Sequence, residues 1–222
     1  SSISFAENNT SAVTTITSTD LDADDTAIYS ISGTDLDDFS INSSTGELTF
    51  INTPDFENAT DSDGDNTYIV IVTVTDGGSL TGTQTITVTV TGVDEAPTDI
   101  SLSFTSINEK EISGTIVGVL GSTDEDVGDI HTYTLIEANS TQDSSFSISG
   151  SDLIAATVFD FELQSSYNVR IATTDSSLLS YEEDFTITVI NVAPVIDSVS
   201  STVVDGNYGI GEVIPITINF DE

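Results

Sequence analysis

Alternation of apolar and hydroxyl-bearing residues dominates this chain. Residues 69–75 and 86–91 alternate β-branched apolar residues with threonine, as expected of strands that are buried on one side. Clusters of Gly, Asp, Asn and Ser separate such runs at the spacing of a β-sandwich, and helical periodicity is almost absent. The pattern predicts an all-β fold.

An internal repeat of about 100 residues divides the chain. The first copy contains the segments 27–31, 39–41, 55–57, 75–76 and 96–97, which recur at 131–135, 146–148, 160–162, 174–175 and 193–194. The offset falls after the third match because the second copy lacks the acidic loop 61–66. The 222 residues suffice for two sandwich domains. We therefore predict domains at 1–93 and 94–193.

Acidic residues outnumber basic ones by 38 to 2, and the net charge is −36. This balance excludes nucleic acid and anionic membranes as partners, because both require basic patches. The acids gather between the predicted strands, at 20–25, 61–65, 94–95 and 124–126, whereas the exposed strand faces carry threonine. A uniformly acidic surface for solubility in salt would also place acids on strand faces. Local collection favours cation binding.

Pairs of acids two residues apart supply the candidate ligands. The pairs are Asp20/Asp22, Asp55/Glu57, Asp124/Asp126 and Asp160/Glu162. On an extended segment, residues i and i+2 point to the same side, so both carboxylates can reach one ion. Two carboxylates about 5 Å apart repel by roughly 3 kcal/mol at an effective dielectric of 20, and a cation reverses that sign. Because the chain has no cysteine, a metal is the remaining staple.

Five motifs in order resemble those of bacterial cadherin-like repeats. They are Ala6-Glu7-Asn8, the strand and turn of 39–48, Asp55-Phe56-Glu57, the segment 75–78 and the linker 93–97. The second domain repeats most of them. The resemblance implies tandem Greek-key immunoglobulin-like β-sandwiches of the cadherin type. From residue 195 the chain resembles the opening of a bacterial immunoglobulin-like repeat, which makes 194–222 a truncated third domain.

The resemblance also implies Ca²⁺ at the junction of the repeats. Carried over by motif, the ligands are Glu7, Asp55, Glu57, Asp94, Glu95, Asp124, Asp126 and Asp175. The linker departs from the family pattern, because residues 91–93 lack an acid, and the loss or weak binding of one ion there is expected.

A second set of acids has weaker grounds. Asp20, Asp22 and Asp76 would complete a site only with an upstream repeat, while Glu109, Asp160 and Glu162 face a closing linker, 190–194, that has no acid. In the loop 61–66, the alternating acids Asp61, Asp63 and Asp65 around a central glycine resemble an oxygen-ligand calcium loop. A polar turn is the competing interpretation.

Other chemistries find little support. A single histidine, His131, forms neither a catalytic triad nor a zinc site without further partners, and we predict that the protein is not an enzyme. No apolar run approaches the length of a membrane span, so no direct membrane insertion is expected. We expect an excised piece of a longer extracellular surface protein.

The sequence therefore predicts calcium-rigidified repeats with a structural and adhesive role. The alternative is a calcium-dependent carbohydrate-binding module of a polysaccharide-interacting protein. Its usual aromatic platform favours tryptophan, which this chain lacks. Besides calcium and neighbouring repeats of the same chain, the candidate partners are surface glycans or another copy of the protein.

Overall fold

The protein divides into two compact units. The computed structural model describes residues 1–20, 26–136, 143–203 and 206–220. The first unit contains Ser1–Ala96 and Asp124–Asp129, and the second contains Pro97–Thr123 and Ile130–Glu222. The prediction of an all-β fold is confirmed. No helix in the described ranges has the length and apolar character that a membrane crossing requires.

The first unit is a sandwich of two sheets. Its strands are β1 (Ser2–Ala6), β2 (Thr14–Thr15), β3 (Ile28–Ser32), β4 (Phe39–Ile41), β5 (Glu47–Phe50), β6 (Thr67–Thr75) and β7 (Thr81–Thr91), with a short 3-10 helix at Leu36–Asp38. One sheet has the order β1-β7-β6-β3 and the other β2-β5-β4. Strand β1 runs parallel to β7, and the other pairs are antiparallel.

The core of this unit follows from the period-two pattern of its long strands. On β6, Tyr68 and Val70 are fully buried, while Ile69 between them is exposed, because successive side chains point to opposite faces of a sheet. Phe39 and Leu48 supply the opposing side of the core. The rings of Phe39 and Tyr68 meet edge to face at 6.0 Å, an arrangement that aromatic pairs favour.

The turn before β5 explains the Thr-Gly pair of the 39–48 motif. Gly46 has φ +72, a left-handed conformation that glycine adopts without steric cost. Its amide donates to the carbonyl of Asn42, and its carbonyl accepts from the amide of Ile16. A Cβ at this position would collide with that Ile16 carbonyl. Only glycine therefore fits.

The second unit repeats the plan. Its strands are β8 (Asp99–Leu102), β9 (Ser106–Asn108), β10 (Ile116–Thr123), β11 (Thr132–Leu135), β12 (Phe146–Ser149), β13 (Asp152–Ala155), β14 (Ser166–Thr174), β15 (Ser180–Ile190), β16 (Ile196–Ser201) and β17 (Ile216–Phe220), with a 3-10 helix at Asp143–Ser145. The sheets have the orders β11-β14-β15-β9 and β12-β13-β10-β8, and β16 pairs with β17.

The two sandwiches correspond strand by strand. Strand β9 lies parallel to β15, as β1 does to β7. Phe146 meets Tyr167 edge to face at 6.0 Å, the counterpart of the Phe39–Tyr68 pair. The internal repeat therefore folds as tandem β-sandwiches. The domain boundaries at 93–94 and 193–194, and the separate character of 194–222, stay predictions.

Candidate metal centres

Glu7 fixes the end of β1 to two other segments of the first unit. It is buried, with 4% of its surface exposed. One carboxylate oxygen accepts the amide of Phe56 at 2.6 Å and the other accepts the amide of Val93 at 2.7 Å. Its own amide donates to the carbonyl of Thr91. Glu7 thus holds the Asp-Phe-Glu turn and the start of the linker together.

Two further glutamates converge on Glu7. One carboxylate oxygen each of Glu7, Glu57 and Glu95 lies within 4.8 Å of the others. Glu95 Oε1 accepts from Asn8 Nδ2 at 2.7 Å, and the Glu95 amide donates to Asp126 Oδ2 at 2.8 Å. Glu57 Oε2 and Glu95 Oε2 are buried and have no hydrogen-bond partner. Buried polar atoms are rarely left in this state.

Electrostatics at this cluster oppose ionisation. Burial, then the charges of Glu7, Asp126 and Glu57, raise the pKa of the Glu95 carboxyl to about 7. Burial and the charge of Glu7 also raise the pKa of Glu57. Such a set of carboxylate oxygens fits a hard divalent cation such as Ca²⁺. The cation would supply the positive charge that the cluster lacks.

A second group adjoins the first within the same unit. Carboxylate oxygens of Asp94, Asp126 and Asp129 lie within 4.8 Å of one another, and the amide of Asp126 donates to Asp124 Oδ1 at 3.2 Å. Asp126 thus belongs to this group and contacts the first group through the amide of Glu95. Asp129 was not predicted, because it follows Asp126 by three residues instead of two and lies in none of the five motifs. The bend and turn at residues 125–128 bring Asp129 close to Asp126.

The geometric reason given for the Asp-x-Glu pairs is wrong. Residues 55–57 and 160–162 lie where a loop enters a turn and not in strands, and Asp124 and Asp126 lie in the loop and bend after β10. Strand alternation therefore does not aim these carboxylates. Asp55 Oδ1 instead accepts the amide of Asn58 at 2.8 Å and caps the turn. Among the described residues Asp55 belongs to none of the converging groups.

The second unit duplicates the scaffold around Glu109. Its carboxylate oxygens accept the amides of Val192 at 2.7 Å and Phe161 at 3.2 Å, as those of Glu7 do from Val93 and Phe56. One oxygen each of Glu109, Asp160 and Glu162 lies within 4.8 Å of the others.

The electrostatics of the two copies differ. The amide of Val192 outweighs burial and, with Phe161 and the charge of Lys110, lowers the pKa of Glu109. Glu162 accepts from the side-chain amide of Asn191 at 2.8 Å. The first linker has Asp94 and Glu95 between Val93 and its Ala-Pro pair, whereas the second passes from Val192 directly to Ala193 and Pro194. The carboxylates of the second copy are therefore better compensated by hydrogen-bond donors and by the charge of Lys110 than those of the first copy.

The acidic loop 61–66 is organised by Asp61. Asp61 is buried, and its two oxygens accept the amides of Asp65 at 2.9 Å and Asn66 at 3.2 Å. Burial opposes ionisation of Asp61, but these amides outweigh it and lower the pKa of its carboxyl. The hydrogen bond with Asp61 raises the pKa of Asp63, and Asp65 adds to this. Oxygens of the three aspartates lie within 4.8 Å.

Asp35 is a buried acid that sequence analysis missed. Its carboxylate accepts the amides of Ile69 at 2.6 Å and Ser62 at 2.8 Å. These bonds outweigh burial and lower the pKa of Asp35. Asp35 thereby fastens the acidic loop to β6. No spacing rule singles it out, because its partners lie far away in the chain.

The remaining predicted ligands occupy defined places. Asp175 is buried in the second unit; its Oδ1 accepts the amides of Ser177 and Leu179, and its Oδ2 is buried without a hydrogen-bond partner. The equivalent Asp76 accepts the amide of Leu80 at 2.7 Å. Asp20 is exposed. Asp22 lies outside the described residues. The assignment of all these acids as ligands stays a prediction.

Comparison with known proteins defines the class of fold. Residues 1–91 match the family model of the cadherin domain. A structure of PcdhgB3 EC1-4 is 27% identical, with a TM-score of 0.62 over 86% of this chain and 48% of that chain. Human protocadherin-24 EC1-2 is 20% identical, with a TM-score of 0.65 over 86% of this chain and 95% of that chain.

A third similar structure spans the chain from end to end. Mouse cadherin-23 EC22-24 is 18% identical, with a TM-score of 0.62 over 100% of this chain and 75% of that chain. The fold is therefore that of tandem cadherin repeats. This chain spans less than half the length of PcdhgB3 EC1-4. The bacterial subtype and the trailing immunoglobulin-like repeat stay predictions.

Proposed function

We propose that this chain is a calcium-binding segment of an extracellular surface protein, in which cadherin repeats serve a structural and adhesive role. The observation that carries the proposal is the pair of buried, unpartnered oxygens, Glu57 Oε2 and Glu95 Oε2. The oxygens of Glu7 are already bonded to backbone amides. Two buried acceptor oxygens of the cluster therefore have no hydrogen-bond donor.

The donor set favours calcium over other metals. The converging groups of the first unit consist of carboxylate oxygens, and Ca²⁺ takes 6–8 oxygen ligands in flexible geometry. Sites in extracellular modules typically bind at about 10⁻⁴ to 10⁻³ M, close to the calcium outside cells. Glu7, Glu57 and Glu95 would hold one ion, and Asp94, Asp126 and Asp129 another.

Calcium would act through the chain segments that connect the two units. Asp94 and Glu95 lie next to Ala96, where the first segment of the first unit ends, and Asp124–Asp129 leads at both ends into residues of the second unit. A cation bound to these acids would hold the connecting segments in place. Its removal would leave like charges facing one another. The role is mechanical rather than catalytic.

Calorimetry tests the proposal. Calcium is titrated into the chelator-treated full chain, the double variant Glu57→Gln/Glu95→Gln and the control Glu47→Gln, which changes an exposed acid on β5. We expect saturable binding by the wild type and the control, with at least a tenfold weaker affinity or one ion lost in the double variant.

Thermal unfolding of the same proteins gives an independent readout. Ligand that binds only the folded state raises its melting temperature, so calcium should raise that of the wild type more than that of the double variant. Weak, non-saturating heats with the wild type would overturn the proposal. Equal calcium binding by the double variant would also overturn it, because the carboxylates named here would then not be ligands.

A further inference from the structure

The first unit contains two peptide bonds between an aspartate and a glycine, one in the acidic loop and one after β6. They join Asp63 to Gly64 and Asp76 to Gly77. A further Asp-Gly bond, at Asp205, lies outside the described residues. Glycine has no side chain to shield its nitrogen, so this nitrogen can attack the carboxyl carbon of the aspartate before it. The two bonds share this reactivity, and the fold decides how far each expresses it.

The backbone at Asp63 and Gly64 is free of restraint by the rest of the protein. Both residues are exposed, and their amides and carbonyls form no hydrogen bond with any other described residue. Gly64 has φ +72, and no atom lies within 4 Å of the place where a Cβ would stand. The nitrogen of Gly64 is therefore accessible.

The side chain of Asp63 is the least anchored of the three acids in this loop. Asp61 accepts the amides of Asp65 and Asn66, and Asp65 accepts the amide of Thr67 at 2.8 Å. Asp63 accepts no backbone amide in the described part of the chain, and its carboxylate lies within 4.8 Å of the other two. Like charges therefore oppose its position. Rotation of this carboxylate away from its neighbours, together with the unrestrained ψ, allows its Cγ to approach the next nitrogen.

Asp76 is the opposite case. Its amide donates to the carbonyl of Leu80, and its carbonyl accepts from the amide of Ser79. Its Oδ1 accepts the amide of Leu80 at 2.7 Å. Approach of Asp76 Cγ to the nitrogen of Gly77 requires these bonds to break. One chain thus holds a restrained and an unrestrained Asp-Gly bond.

We propose that Asp63 is a site of spontaneous isoaspartate formation, so that the acidic loop acquires a slow covalent modification without an enzyme. The nitrogen of Gly64 bonds to Asp63 Cγ. Its proton, one carboxylate oxygen and a second proton from solvent leave as water, and a succinimide ring remains. Water then adds to the main-chain carbonyl of this ring and breaks its bond to the nitrogen, which returns both protons. The chain now runs through the side chain of residue 63, and its mass is unchanged.

The modification disrupts the acidic loop and leaves the sandwich in place. It lengthens the backbone between Asp63 and Gly64 by one methylene group, directly before the two amides that Asp61 accepts at 2.9 and 3.2 Å. Hydrogen bonds depend steeply on distance and angle, so these two do not survive the change together. Asp35 still fastens the start of the loop to β6. The aged protein therefore loses the order of one loop and keeps its core.

Ageing of the full chain tests the proposal. The wild type, Asp63→Glu, Asp63→Asn and the control Asp76→Glu are kept for several weeks at neutral pH in chelator, in water labelled with heavy oxygen. The label enters the protein each time a succinimide opens. Fragmentation mass spectrometry locates label and isoaspartate at each Asp-Gly bond, and circular dichroism confirms that the variants are folded. A parallel wild-type sample is aged in urea.

We expect at least tenfold more isoaspartate and label at position 63 than at position 76 in the folded wild type, and similar amounts at both in urea. Asp76→Glu should match the wild type at position 63. Asp63→Glu should lose the reaction there, because its longer side chain must close a six-membered ring. Asp63→Asn should react faster, because the same succinimide forms with loss of ammonia.

Three results would overturn the proposal. The first is a folded wild type with equal reaction at positions 63 and 76, because the fold would then not select the site. The second is no isoaspartate at position 63. The third is an Asp63→Asn variant that keeps its amide, because the loop would then forbid ring closure. The chemistry does not involve Glu57 or Glu95, so these results are separate from the fate of the calcium proposal.

Discussion

Glu95 and Glu109 are buried or half-buried acids with opposite environments. Glu95 has an oxygen with no donor and several carboxylates around it. Glu109 has an amide on each oxygen and Lys110 beside it. The pKa of Glu95 is therefore raised and that of Glu109 is lowered. The two carboxyls nevertheless lie in repeats of the same design.

The raised pKa of Glu95 contributes to the pH dependence of the stability of the cation-free protein. Its ordinary value is 4.5 and its folded value is about 7, so the folded state binds more protons between these values. Stability should then fall as pH rises from about 4.5 to 7, by at most about 3 kcal/mol. Urea unfolding in chelator at a series of pH values measures this change. A rise over the same window would contradict the assignment.

The substitution Glu95→Gln should stabilise the cation-free protein. A glutamine oxygen can still accept from Asn8, and its amide would face the carboxylates of Glu7 and Glu57 instead of repelling them. We expect a gain of about 1–2 kcal/mol in chelator and weaker calcium binding. Urea unfolding with and without calcium separates the two effects.

Glu109→Gln should have the opposite effect. Glutamine has one oxygen, so one of the amides of Val192 and Phe161 loses its acceptor. We expect a loss of about 1–3 kcal/mol at neutral pH. Because the pKa of Glu109 is lowered, its contribution is present at neutral pH and is lost as pH falls below about 4.5. Unchanged urea unfolding of this variant would contradict the structural role.

At the scale of elements, the acidic loop 61–66 depends on backbone amides as well as on charge. Asp61 accepts from two amides, and Asp35 fastens the loop to β6. Asp61 and Asp35 therefore determine the conformation of the loop. Asp63 is exposed and accepts its proton more readily than an ordinary aspartate.

Substituting the two acids separately distinguishes shape from ligation. Asp61→Asn should destabilise the protein by about 1–3 kcal/mol, because asparagine cannot accept both amides. Asp63→Asn should leave the free energy of unfolding in urea unchanged or raise it slightly, since the substitution removes repulsion between Asp63 and the neighbouring aspartates. A loss of calcium binding heat in Asp63→Asn, with stability retained, would instead identify the loop as a calcium site.

Strands were the most predictable elements of this protein. The alternation in β6 and β7 reflects burial of one face, which a sequence displays directly. Turns are different. Glu57 was predicted from an extended Asp-x-Glu segment, yet a turn places it against Glu7, and Asp55 is used to cap that turn. Asp35 and Asp129 reach their partners through tertiary folding, which residue spacing does not encode.

At the scale of the whole molecule, a net charge of −36 destabilises the compact state through self-repulsion. Monovalent salt should therefore raise the melting temperature of the cation-free protein between about 0.05 and 0.5 M, because the Debye length shrinks from roughly 14 to 4 Å. Sodium and potassium chloride should act equally. Calcium should act at far lower concentration, and an equal effect of sodium at millimolar concentration would contradict selective sites.

The placement of Arg170 has a consequence for the resistance of this protein to proteases. With only two basic side chains, Lys110 and Arg170, the chain offers trypsin-like proteases two bonds to cut. The bond after Arg170 lies within β14, which is hydrogen-bonded to β11 on one side and β15 on the other. A protease must draw its substrate out as an extended strand, so this bond is reached only when the sheet opens. The folded repeats therefore leave such proteases a single accessible point of attack, after Lys110.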